Sequence, residues 1–409
     1  MSQTSSSRPA PLLHFLFGQS SSTLSYQMLV VAFGWQVYDL SHSVFNLGLI
    51  GLVQFLPQLC LTLVVGQAAD HFDRRRIAQC CQLLECALAS VLAVACISHY
   101  QSLTLIFSCA ALIGMARAFE APSMQSLLPT LVPVEQLPAS LAWAASARQT
   151  AVIVGPALGG LVYALGAPLV YIACALAYLM AALWLQCLRV PARSKTREPV
   201  SLRSALAGVA FIRRKPVILG AISLDLFSVL LGGATALLPV YARDILHTGP
   251  WGLGLLRSAP AIGALGTSLY LARHPLQRHV GRTMGTAVAI FGVATIVFGL
   301  SRWFPLSLLA LAILGASDMI SVVVRSSLVQ LETPDEMRGR VSAVNFIFIG
   351  TSNQLGEFES GLTAAWFGTM PAVVFGGIGT LLVVALWRGW FPQLFARDHL
   401  QPEASGQKA

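Results

Sequence analysis

The stretch Gly66-Gln67-Ala68-Ala69-Asp70-His71-Phe72-Asp73-Arg74-Arg75-Arg76 lies between two apolar runs, Val44–Val65 and Ile77–Ile97. Each run is close to the ~20 apolar residues that carry a helix across bilayer hydrocarbon. A short charged loop between two such spans sits in water at one membrane face. Loops rich in Lys and Arg stay cytoplasmic, so three consecutive arginines orient the rest of the chain.

Composition agrees. Of 409 residues, 56% are hydrophobic and 11% charged, with mean hydropathy +0.70; a soluble domain carries roughly 25% charged residues. This is the composition of an integral membrane protein whose first partner is the lipid bilayer. The formal net charge of +9 sits at the ends of apolar runs rather than on one patch, which argues against nucleic acid. The eight cysteines (Cys60, Cys80, Cys81, Cys86, Cys96, Cys109, Cys174, Cys187) fall in or beside apolar runs of the first half, without CxxC spacing. No disulfide framework, metal site or cofactor is expected. With no HExxH and no GxxxxGK[ST], the chain reads neither as an enzyme nor as directly ATP-driven. Met1–Pro11 holds one basic residue, Arg8. The run after it exceeds the ~7–15 residues of a signal-peptide core and reads as an uncleaved first helix.

Twelve spans can be drawn: 11–38, 44–68, 77–98, 101–121, 139–164, 167–189, 216–242, 250–272, 282–301, 304–327, 340–366 and 369–391. Loops on the Arg74 side, with both tails, hold 20 Lys and Arg residues; the opposite loops hold only Arg243 and Arg302. Both termini are thereby expected in the cytoplasm. The longest hydrophilic connection, 190–215, parts a six-helix bundle (11–189) from a second (216–391), with tails at 1–10 and 392–409. A faint echo joins the halves: Ser126-Leu127 and Pro133-x-Glu135 recur as Ser327-Leu328 and Pro334-x-Glu336. Six plus six parallel repeats are one architecture of secondary transporters.

Gly66-x-x-x-Asp70-x-x-x-Arg74-Arg75 resembles the loop 2–3 signature of the major facilitator superfamily, and Gly155-Pro156-Ala157-Leu158-Gly159-Gly160 resembles the motif of its exporters. Trp35–Leu40, Asp70–Arg76, Arg117-Ala118-Phe119-Glu120-Ala121-Pro122 and Arg338-Gly339-Arg340-Val341 are similar to the enterobactin (siderophore) exporter branch. The likeness implies an all-α, twelve-helix fold of two pseudo-symmetric bundles in a bacterial inner membrane. His71 and Asp73 replace the family's usual Arg and Gly. The loop Arg273–Arg282 keeps Gly281-Arg282 but lacks the acidic partner.

The resemblance also implies roles. Asp70 would cap the start of span 11 and pair with Arg74, a latch within the ~0.3–1 kcal/mol of a carboxylate at a helix N-terminus, strengthened by directional arginine hydrogen bonds. The gate group comprises Gly66, Asp70, Asp73, Arg74, Arg75, Arg117, Glu120, Arg338 and Arg340. Topology alone is the other reading of Arg74–Arg76. Arg117 and Glu120, at i and i+3, pair with each other or join the Asp70/Asp73 cluster. Arg325 likewise reads as gate or interface. Gly155, Pro156, Gly159 and Gly160 permit close helix packing, and by resemblance they imply export.

Charges inside spans stand apart, because a mid-bilayer ion costs at least ~2.5–3.5 kcal/mol and such residues mark pathways. Asp225, Asp318 and Glu357 are the candidates for proton coupling. Asp225 lies roughly 13 Å from the cytoplasmic end of span 7 at 1.5 Å per residue. A static ion pair with Arg148 or Arg257 is its alternative role. Glu359, two residues from Glu357, points in a different direction. Span 1 is unusually polar, and Gln19, Ser22, Ser25 and Tyr26 are expected to line a central cavity with Gln54, Arg148 and Asn353. Hydrogen bonding between helices is the alternative.

These expectations describe a monomeric secondary transporter, exporting a small organic molecule against inward proton flow by alternating access. Uptake or uncoupled facilitation is the second reading, and a non-transporting scaffold or sensor the third.

Overall fold

In the computed structural model, residues 10–71, 73–188, 202–276 and 278–400 are described, and among them every regular element is helical. The helices run α1 (Ala10–Ser41), α2 (Val44–His71), α3 (Arg74–Ile97), α4 (Leu103–Leu131), α5 (Leu137–Leu165), α6 (Ala167–Gln186), α7 (Leu202–Arg214), α8 (Pro216–Leu231), a turn α9 (Leu238–Val240), α10 (Pro250–Arg273), α11 (Val280–Leu300), α12 (Phe304–Glu332), α13 (Asp335–Phe367), α14 (Thr369–Trp390) and α15 (Pro392–Phe395). Each expected span falls on a helix. Among the described residues, eight segments are long and apolar enough to cross a membrane by composition alone. The other four spans, on α1, α5, α10 and α13, carry more polar residues.

Local chemistry sets many ends. Asp73 caps α3, its Oδ1 accepting from the Arg75 N–H at 2.9 Å, as N-cap carboxylates do. Ser102 caps α4 through the Leu105 N–H at 3.2 Å. His42, His99, His247 and His279 all take positive φ, between 48° and 55°, a region where His is enriched among non-glycine residues. Half of the eight histidines, which formed no motif in the sequence, thus serve as turn residues.

Three departures from the expected spans bear on the architecture. Helix α4 runs ten residues past the expected 121, through Pro122 and Pro129, because membrane helices tolerate proline where neighbours satisfy the freed carbonyls. Span 7 is interrupted. Helix α8 stops at Gly232-Gly233, and the chain continues through a 3₁₀ turn (Ala234–Leu237), α9 and a π-turn (Tyr241–Ile245). Glycine is among the poorest helix formers, and here the break is packed. A Cβ on Gly233 would lie 2.6 Å from the Gly356 carbonyl, and one on Gly356 2.8 Å from the Val229 carbonyl. The connection 190–215, read as a plain linker, contains the thirteen-residue amphipathic α7; residues 190–201 lie outside the described residues.

The chain forms two compact units. The first holds α1 as far as Leu40, residues from Val53 through α6, and Gly249–Gly254. The second holds Ser41–Leu52, α7 through Thr248, and the chain from Leu255. In the first, α3 packs along α4 and α6. Its core near the Arg74 end joins Phe15, Ala78, Leu127, Leu128, Leu185 and Leu188. In the second, α11 packs along α12 and α14, around Leu224, Val280, Met284, Leu328, Trp387 and Leu394. A further cluster, with Ile212, Ile218, Val341 and Val344, ties α7 to α8 and α13.

Candidate functional sites: buried charge in each unit

The first unit holds a polar knot among apolar helices. Glu120 on α4 accepts from the Arg117 Nη1 at 2.8 Å, from Ser22 of α1 at 2.5 Å, and from Gln82 of α3 at 2.9 Å. The Arg117 guanidinium also lies 4.3 Å from the Tyr26 ring centroid, a cation–π geometry. Tyr26 in turn donates to Gln54 of α2 at 3.3 Å. Glu85 on α3 completes the knot, fully buried and in electrostatic reach of Glu120 and Arg117. Three donors converge on the one Glu120 carboxyl group and hold it in place.

The geometry selects among the alternatives read from the sequence. Arg117 and Glu120 pair with each other, and their partners are core residues of α1 and α3. Ser22 and Ser25 were expected to line a cavity, but both are buried. Ser22 is taken by Glu120, and Ser25 donates to the Cys174 carbonyl at 2.9 Å. Their hydroxyls satisfy neighbouring helices instead. Gln54 is buried on the Tyr26 hydroxyl, Gln19 is half-buried, and Arg148 and Asn353 are exposed.

The second unit holds the Asp225 site. Arg325 Nη1 of α12 lies 3.3 Å from the Asp225 Oδ2, with side-chain exposures of 2% and 6%. Ser321 donates to Oδ1 at 3.0 Å, and Arg325 also donates to Asn345 of α13 at 3.2 Å. The cation partnering Asp225 is therefore Arg325, neither Arg148 nor Arg257, and Arg325 is a buried ion-pair residue. A cavity of about 10 Å³ is lined by Asp225, Asp318, Ser228, Ser317 and Ser321, close to the ~10–15 Å³ that one water needs. Asp225 on α8 and Asp318 on α12, 93 residues apart in the sequence and in no common motif, thus meet at one site. Glu357 sits elsewhere in this unit, accepting from Thr235 at 3.4 Å and facing Gly51, whose Cβ would lie 2.8 Å from its Oε2. Glu359 accepts from Thr363 at 2.6 Å, so the two glutamates do diverge.

At the charged loop, Arg74 donates to the Ser126 carbonyl at 3.4 Å, Arg75 donates to the Leu188 carbonyl, and Arg76 approaches Asp73 at 3.9 Å. Asp73 is occupied as a helix cap. Gly66 and Asp70 fall in the last turns of α2, where the side chains of residues 62–72 lie outside the described residues. Arg338 and Arg340 are exposed at the start of α13, beside the place where a Gly208 Cβ would lie 3.0 Å from the Arg340 carbonyl.

The glycines of α5 work as contact points. A Cβ on Gly155 would lie 2.6 Å from the Gln27 Cβ, one on Gly159 2.8 Å from the Met28 Cα, and one on Gly160 2.3 Å from the Pro250 carbonyl oxygen. Gly254 answers from α10, where a Cβ would sit 2.4 Å from the Pro156 carbonyl oxygen. Backbones this close require glycine.

Glu85, Gln82 and Tyr178 are absent from the sequence expectations. Glu85 meets the criterion that singles out Asp225, an acid well inside an apolar span, so hydropathy alone could have found it. Nothing in the sequence marks Gln82 or Tyr178 as its neighbours.

A polytopic bundle of apolar helices that holds buried ion pairs is an architecture found in membrane transporters. Residues 15–356 match the Major Facilitator Superfamily model, and the chain belongs to that family. It is 27% identical over 375 residues to the "Multidrug efflux pump Tap" of Mycobacterium tuberculosis, covering 87% of each chain. It is 23% identical over 362 residues to the "Macrolide efflux protein A" of Streptococcus pyogenes, covering 85% of this chain and 87% of the other. Among solved structures, a bacterial homologue of the lysosomal transporter Spinster superposes with TM-score 0.76 at 12% identity, covering 96% of this chain and 98% of that one. A bacterial homologue of the iron transporter ferroportin gives 0.69 at 16%, covering 95% and 98%. These two likenesses establish the fold.

Proposed function

We propose that this chain exports amphipathic small organic molecules from a bacterial cytoplasm, coupled to inward proton flow. The observation that carries the reading is the match to drug and macrolide efflux pumps along almost the whole of both chains. Export motifs at Gly155–Gly160 and buried carboxyls in the second unit support it. Asp225, with Asp318 across the small cavity, is the coupling site in this scheme. Release of its proton to the cytoplasm favours the substrate-accepting state, and reprotonation from outside resets the cycle. Inward charge movement supplies ~2.3 kcal/mol per charge per 100 mV. The two halves, 11–189 and 216–391, expose the substrate to each side in alternation, with the Asp70–Arg74 loop as cytoplasmic latch. Both termini lie in the cytoplasm, and the transporter works as a monomer in the inner membrane. The siderophore likeness adds a second substrate class to test.

Everted membrane vesicles test this directly, with ethidium, erythromycin and a catecholate siderophore as probes. Acidifying the vesicle interior is expected to drive accumulation of at least one probe, and Asp225→Asn is expected to abolish that accumulation. Accumulation only into alkaline vesicles would instead make the chain an importer. No movement of any probe, under either gradient, would leave a scaffold or sensor and end the export reading.

A further inference from the structure

Glu85 takes no part in the scheme above, yet in the first unit it is a fully buried acid, 0% exposed, and neither carboxyl oxygen has a hydrogen-bond partner among the described residues. Two other buried groups beside the knot are also unsatisfied, the Tyr178 hydroxyl and the Gln82 Oε1. Native interiors leave few buried polar atoms without partners, and each calls for an explanation. A carboxylate stripped of water and of donors is among the most costly groups to bury, whereas the neutral acid is tolerated.

The charge count points the same way. The groups facing Glu85 are Arg117 and Glu120 from α4, Tyr178 from α6 and Cys81 from its own helix, with Tyr26 and Ser22 of α1 behind Arg117 and Glu120. Arg117 is the one cation among them, and it is committed to Glu120 at 2.8 Å. One guanidinium and two carboxyls form a neutral set only when a single proton is also present. Paired carboxyls confined together hold a proton between them for this reason.

We propose that Glu85 and Glu120 bind one exchangeable proton in common, a second proton site separate from Asp225. In the conformation seen, Glu120 is the anion, held by Arg117, Ser22 and Gln82, and Glu85 carries the proton. The two carboxyls share no hydrogen bond in this conformation, so transfer follows a side-chain rotation that brings them together; the Glu85 O–H bond then breaks as a Glu120 O–H bond forms. Arg117 then loses its anion at Glu120 and pairs with Glu85 instead, leaving the total charge unchanged. The inference deepens the proton-coupled reading and rests on it for its role in transport, but not for its chemistry.

Infrared difference spectroscopy on the full chain in lipid reads the chemistry without any transported substrate. At neutral pH the wild type is expected to show a protonated-carboxyl band that shifts in D2O and is missing from E85Q. In E120Q only one carboxyl faces Arg117, so Glu85 ionises and the same band is lost. Persistence of the band in E85Q, or its survival in E120Q, overturns the proposal, because a static buried acid ignores its neighbour. If E85Q fails to fold, the E120Q spectrum decides alone. In everted vesicles E85Q is expected to lose acid-driven ethidium accumulation while keeping ethidium exchange. Should the wild type itself accumulate nothing, the export reading falls and the spectra still decide the site.

Discussion

Arg325 and Asp225 illustrate how much depends on single side chains here. Removing one partner of a buried ion pair leaves an uncompensated charge and destabilises by ~3–5 kcal/mol, whereas replacing both by apolar residues of similar size is near neutral. Arg325→Met is therefore expected to lower the thermal midpoint sharply in detergent, and Asp225→Leu with Arg325→Met to restore most of it. A double variant as unstable as the single one would refute the pairing. At this scale the sequence was only partly legible. The rule that interior charges matter found Asp225, Asp318 and Glu357, but it did not give Asp225 its partner. A residue's neighbours depend on how each helix is rotated against the next, and α8 and α12 are nearly a hundred positions apart in the chain. For the same reason Ser22 and Ser25 looked like cavity residues until α6 and Glu120 were seen to use their hydroxyls.

Among the elements, the start of α11 is unusual in being closed by the chain's own C-terminal segment. The His279 N–H donates to the Asp398 Oδ1 at 2.9 Å, while the Val280 and Gly281 N–H groups donate to the Asp398 and Arg397 carbonyls at 3.2 and 3.0 Å. That backbone hydrogen bond holds the Asp398 carboxyl below the ordinary carboxylate range, helped by the nearby His279. A group whose folded value is lowered adds stability above its unfolded value and loses it as pH falls through the folded one. The segment's attachment is thus expected to weaken on strong acidification. Asp398→Asn should flatten the acid limb of a melting curve followed against pH; an unchanged limb would mean the cap is inert. Element existence was plain from hydropathy, since apolar runs of span length leave little choice. Ends were not: the fourth span was drawn only to 121, and the packing that lets α4 continue through Pro122 and Pro129 lies outside the local sequence.

At the scale of the whole molecule, the asymmetry of basic residues makes one firm demand. With Cys60, Cys80 and Cys187 replaced by Ser, Arg74→Cys is expected to react with an impermeant maleimide in everted vesicles but not in intact cells, and Arg302→Cys to do the reverse. Labelling of position 74 from outside would invert the whole assignment of faces. The family was legible because its signatures lie in short contiguous stretches such as 66–76 and 155–160. The Glu85–Glu120 knot was not, because it is assembled from α1, α3, α4 and α6 and carries no motif of its own.

The interrupted helix at Gly232-Gly233 constrains how this gene can drift. Any single-base change to a glycine codon that alters the residue adds a Cβ, and at 233 or 356 that atom would collide with main chain on the facing helix. Each codon is therefore constrained on its own account, 233 by the Gly356 carbonyl and 356 by the carbonyls of Val229 and Leu230. A substitution at either is expected to push α13 away from the break and loosen the seam that the interruption creates.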